Sequence, residues 1–192
     1  PVLMNVLIWA TTFGADLWSF AKYLDQQPGV TIKVVMDDPE RFRRQGVHDL
    51  FPLDVDLVKR RFWHHALVVP GFDADITIMD NRTPFLRTAP KALMLWHGFG
   101  WKGPDSEDDL WWLHRSLRRT WGDARHPNPN FAWQCFGPWD QKHRTEVSGF
   151  HPDNCYLLGA ASHDDLRTPI DRARAQPYYP FDVATTPTVL VA

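Results

Sequence analysis

Residues 2–10, Val2-Leu3-Met4-Asn5-Val6-Leu7-Ile8-Trp9-Ala10, form a short and nearly continuous apolar run. A strand that is half exposed alternates polar with apolar; a strand covered on both faces does not, and such strands belong to parallel sheets whose crossover helices lie on either side. Residues 11–14 turn the chain. Residues 16–27 then place Leu17, Phe20, Ala21 and Leu24 on one stripe of an amphipathic helix, which Pro28-Gly29 stops. The unit repeats. Residues 31–36 read as a second strand, and Asp37-Asp38-Pro39 as the cap and first turn of a helix that runs to about Gln45 and ends at Gly46.

The alternation continues along the chain. Short apolar pieces at residues 53–58 and 66–69 predict one or two strands, residues 74–79 another, and residues 91–96 an interior strand that ends in His97-Gly98. A helix is expected from about Ser106 to Trp121, with Ser106 and Asp109 at capping-box spacing. Residues 130–136 and 154–158 read as strands, residues 138–148 as a helix with proline in its first turn, and residues 162–175 as a last helix before Pro177. Parallel neighbours need a helical crossover, so this order predicts an α/β fold with a Rossmann-like, doubly wound and mostly parallel sheet.

The chain has 192 residues, enough for one domain with an appendage at ~150 residues per domain. Hydrophobic residues make up 44% and charged residues 23%, which excludes disordered and collagen-like classes. The net charge of −2 argues against a protein that holds nucleic acid by bulk electrostatics. Cys135 and Cys155 lack C-x-x-C spacing and are too few for a disulfide framework, so the chain reads as cytoplasmic. No apolar run reaches the ~18 residues of a membrane span.

The densest chemistry lies at Trp96-His97-Gly98-Phe99-Gly100-Trp101-Lys102-Gly103, where a strand ends and a glycine-rich loop leads to a helix. Ligands of open α/β sheets bind at such strand ends. The glycines spell G-x-G-x-x-G, but the helix begins only after Pro104 and no acid ends a strand about 20 residues later, as a dinucleotide site requires. Pro104 after Gly103 also excludes a Walker A loop. His97 can accept a proton from a hydroxyl, and Lys102 can hold or offset a phosphate. Gly98 and Gly100, with Gly14 in the turn after the first strand, leave room for a substrate. A hydrogen-bonded structural histidine beside a solvated lysine remains the plainer alternative. The nine histidines show no H-x-x-x-H or H-x-x-E-H spacing, so no metal and no cofactor are expected. His163-Asp164-Asp165 reads as the acidic first turn of a helix.

Trp96-His97-Gly98 followed after three residues by Lys102 resembles the W-H-G-x-x-x-K segment of CDP-glycerol glycerophosphotransferases, the teichoic-acid polymerase family. Tyr156-Leu157-Leu158-Gly159 and Asp164-Asp165-Leu166 resemble a later strand-Gly-x-Pro-Arg-x-Asp-Leu segment, although residues 160–163 replace its Pro-Arg. The final residues 187–192 resemble the strand that opens the family's C-terminal, nucleotide-binding domain. The resemblance implies one half of a GT-B-type fold. Residues 1–176 would be the acceptor-side domain, and 177–192 the linker and first strand of a C-terminal domain that is missing or truncated in a chain that also begins without Met. It implies His97 as the catalytic base and Lys102 as a charge stabiliser, a polyol-phosphate or glycan acceptor, and a nucleotide-activated donor such as CDP-glycerol bound mainly by the absent domain. A sugar-nucleotide glycosyltransferase and a non-catalytic Rossmann-like binding or assembly module stay open beside it.

Residues 110–121 place Leu110, Leu113 and Leu117 on one stripe and Arg115, Arg118 and Arg119 largely away from it. With Trp111 and Trp112, this helix suits either ordinary core packing or a peripheral contact with an anionic surface at the inner face of the membrane.

Overall fold

The apolar run at the start of the chain is strand β1 (Met4–Trp9), and it lies inside the sheet between two parallel neighbours. The structure is a computed structural model that describes residues 3–45, 53, 55–60, 71–95, 106–164, 167 and 172–187. Helix α1 (Ala15–Asp25) crosses to β2 (Val30–Met36), and α2 (Pro39–Arg44) leads toward the edge strand β3 (Asp56–Lys59). The chain then returns past β1 to β4 (Ile76–Met79), β5 (Lys91–Met94), β6 (Phe131–Cys135) and β7 (Cys155–Leu157). Helices α3 (Trp111–Thr120) and α4 (Pro138–Glu146) precede β6 and β7, and two short helices, α5 (Ala161–Asp164) and α6 (Arg172–Ala175), follow. The strand order is β3-β2-β1-β4-β5-β6-β7, and all six pairings are parallel.

The continuous apolar character of β1 has a direct cause in this arrangement. Val6, Ile8 and Ala10 pack with Leu17, Trp18, Ala21 and Leu24 of α1 and Phe42 of α2, while Leu7 and Trp9 point the other way, into a layer with Leu113 and Leu117 of α3 and Phe150. Alternate residues face opposite sides, so both sets must be apolar when helices cover both sides. The interior position expected for the strand that starts at Lys91 is observed, with β4 and β6 on its flanks.

Local capping follows the sequence. The Asp38 carboxylate accepts from the Arg41 N–H at 2.9 Å, with Pro39 opening α2. Ser106 and Asp109 bond reciprocally, yet residues 107–110 are turns and α3 begins at Trp111, later than expected. Residues 162–175 are not one α-helix, since Arg167 lies in a 3-10 turn between α5 and α6. The expected strand at 66–69 and the final apolar stretch at 188–192 lie outside the described residues. Among the described residues no helix is long and apolar enough to cross a membrane.

Two polar features are buried in the α3-side layer. The Arg144 guanidinium pairs with Asp140 at 3.2 Å and sits 5.0 Å over the Trp133 ring, both charged side chains being fully enclosed. The thiols of Cys135 and Cys155 are buried nearby. Their mutual hydrogen bond pushes the Cys135 thiol well up and draws Cys155 down.

Candidate functional site

The carboxyl edge of the sheet is where the strand ends and following loops gather. Of the residues singled out from sequence, Gly14 is described there. It is the N-cap of α1, at φ −152°, and nothing lies within 4 Å of where a Cβ would stand. A side chain at this position would therefore meet no neighbour. His97, Gly98, Gly100 and Lys102 lie outside the described residues. The chain enters that segment just past Leu95, whose N–H donates to the Met79 carbonyl at 2.7 Å beyond the end of β5, and leaves it at Ser106.

Between β1 and β4, where the strand order reverses direction, the Asp80 carboxylate organises the first loop. It accepts from the N–H groups of Thr11 at 2.9 Å, Thr12 at 3.2 Å and Asn81 at 2.8 Å, and is 2% exposed. The Thr11 hydroxyl donates to Asn81 Oδ1 at 2.7 Å. These bonds satisfy backbone donors of a partly buried loop around an enclosed carboxylate. On the α1 side, buried Asp16 accepts from Gln134 Nε2 at 2.8 Å and from the Ser162 N–H at 3.0 Å. A carboxylate from α1 thus reaches the start of α5 (Ala161–Asp164), whose single turn also carries the expected acid Asp164, while Asp165 lies outside the described residues.

On the α3 side, a solvent-open hollow of about 500 Å³ is lined by Trp9, Arg60, Arg82, Thr83, Trp111, Trp112, Arg115, Ser116 and Arg119. These residues come from the last position of β1, from the segments that follow β3 and β4, and from one face of α3. The Arg60 side chain, 9% exposed, pairs with Asp37 at 2.6 Å and lies 5.5 Å over Trp9. Arg82 reaches the same carboxylate at 3.6 Å. The arginine helix was legible as an amphipathic element, with Leu113 and Leu117 buried and Arg115 and Arg119 exposed. Arg60 and Arg82 carried no local signal, since only the tertiary crossovers bring them beside α3. Among the described residues, no group of three His, Cys, Asp or Glu side chains is placed to hold a metal ion.

No protein-family profile matches the chain, and no curated protein matches it by sequence. Solved structures do. The wall teichoic acid polymerase TagF superposes with a TM-score of 0.56 at 13% identity, over 91% of this chain and 42% of that one. A TagF variant soaked with CDPG for 15 minutes, and a second variant, each give 0.58 with the same coverage. The likeness is one of fold. The chain spans less than half the length of these neighbours, and its seven-stranded parallel sheet is the Rossmann-like architecture expected from the sequence.

Proposed function

We propose that this chain is the acceptor-side domain of a glycerophosphotransferase-like enzyme of cell-surface polymer synthesis. The observation that carries the reading is a coincidence of place and motif: the Trp96-His97-Gly98 string with Lys102 starts one residue past Leu95, at the carboxyl end of interior strand β5, in a fold shared with TagF. In this reading the His97 imidazole accepts the proton of an acceptor hydroxyl as the oxygen attacks the β-phosphorus of CDP-glycerol. The bond from that phosphorus to the bridging oxygen breaks and CMP leaves, with Lys102 offsetting the charge that builds up. Gly14, Gly98 and Gly100 keep the approach open. The donor is held by a second domain, so the base and the donor phosphates meet only across a two-domain cleft.

The test is CMP release from CDP-glycerol with a glycerol-phosphate primer. Residues 1–192 alone are expected to show no turnover, whereas the chain joined to a donor-binding C-terminal domain turns over and loses about 10²- to 10⁴-fold in rate on His97→Ala. Undiminished activity in that variant would falsify the base, and a joined protein that binds CDP-glycerol without releasing CMP would favour a binding module.

A further inference from the structure

The hollow on the α3 side has a composition that neither core packing nor the β5 motif explains. Four arginines, Arg60, Arg82, Arg115 and Arg119, line one space, and the carboxylate that reaches them among the described residues is Asp37. Like charges gathered in this way repel, a cost that an incoming anion reverses. We propose that this hollow is a phosphate-anion site, taking a phosphomonoester or phosphodiester group. The inference rests on the described residues alone and holds whether or not the chain is a transferase.

The guanidinium groups are unevenly engaged. Arg60 is enclosed and held by Asp37, and so serves as a fixed positive charge behind the site. Arg82 is 60% exposed and lies 3.6 Å from the same carboxylate, beyond hydrogen-bond distance. Arg119 rests 4.3 Å over the Phe85 ring and donates to the Ser116 hydroxyl at 3.3 Å, both neutral partners. Arg115 has no acidic partner among the described residues, and it is exposed. Three forks are therefore available to oxygens of a bound anion, and the planar five-donor guanidinium matches phosphate bidentately where an ammonium does not. Thr83 and Ser116 are hydrogen-bonded to each other in the wall, which leaves one hydroxyl hydrogen of the pair to donate to a bound anion. The hollow lies at the carboxyl edge, where open α/β sheets take ligands. Trp111, 60% exposed, and Trp112, 38% exposed, stand at the same wall. Indole rings suit the boundary between headgroup and acyl chain as well as the apolar part of a soluble ester, so the phosphate has two sources to distinguish.

Two titrations separate them. Inorganic tripolyphosphate is titrated calorimetrically into the full chain at physiological salt, and phosphatidylcholine vesicles with and without phosphatidylglycerol are sedimented with it. Saturable binding of the soluble probe, weakened by about tenfold or more in Arg82→Glu/Arg115→Glu, assigns the hollow to a soluble phosphate group and not to a lipid headgroup. Capture on phosphatidylglycerol vesicles with the same dependence, without tripolyphosphate binding, identifies a lipid headgroup. Arg118→Glu is the control. It sits on α3 outside the hollow, pairs with Asp123 at 3.3 Å, and is expected to change either affinity by less than about twofold. Thermal unfolding verifies that the variants fold, and Arg115→Ala carries the comparison if the double variant does not. Absence of saturable binding to either probe, or equal weakening by Arg118→Glu, overturns the proposal.

Discussion

Gly14 and Ala15 are neighbours with opposite relations to their backbone. Gly14 is extended, in a conformation any residue adopts, and a Cβ there meets nothing. Ala15, exposed at the first position of α1, has φ +47°, where an L side chain costs about 1–2 kcal/mol. Gly14→Ala is therefore expected to leave the unfolding midpoint nearly unchanged, whereas Ala15→Gly raises stability by about 0.5–1 kcal/mol after the added chain entropy is set against the relieved strain. Denaturant unfolding of the two variants checks both, and a destabilised Ala15→Gly would contradict the account. A loss of ligand use by the stable Gly14→Ala protein would mark that position as one a substrate approaches. At this scale the sequence was partly legible. Gly14 announced itself by following an apolar run, but Asp80 looked like any acid after a strand, and its role depends on a first loop about 70 residues away folding over it.

Helix α3 shows what periodicity captures and what it misses. The stripe Leu110, Leu113 and Leu117 is buried as the spacing required, and Ser106 and Asp109 form their expected bonds. The start is late because Leu110, at φ −95° and ψ 13°, ends a run of turns instead of continuing helical dihedrals. Beyond its other end, Asp123 accepts from Arg125 at 2.8 Å and pairs with Arg118, and these contacts, the Arg125 hydrogen bonds above all, hold its carboxyl well below the usual range. A carboxyl depressed in the folded state stabilises above its unfolded pKa of about 3.9, and that contribution is lost as pH falls through the folded value. Asp123→Asn is therefore expected to lower the thermal midpoint at pH 7 and to converge with the unmodified protein on acidification below about 4. A difference that persists or grows in acid would assign the effect to packing.

For the whole molecule, one sheet serves two apolar layers, so damage to either layer is felt by both. Leu17→Ala, on the α1 side, and Leu117→Ala, on the α3 side, are each expected to cost about 2–5 kcal/mol and to shift a single unfolding transition. Two separated transitions, by fluorescence and by calorimetry, would show the layers to be independent. The α/β class was readable because alternating strands and helices leave local marks. The order of strands was not, since it depends on which side of β1 each crossover returns, and no residue records that choice. The same order sets a schedule. Val6 pairs with Ile32 on one side and with Ile76 on the other. Ribosomes add roughly 5–20 residues per second, so β1, with its nearly continuous apolar run, waits several seconds with one edge bare before its second partner has been synthesised. A nascent chain halted between residues 40 and 75 should therefore be a preferred client of chaperones that bind exposed strands, and the same chain released after residue 95 should not.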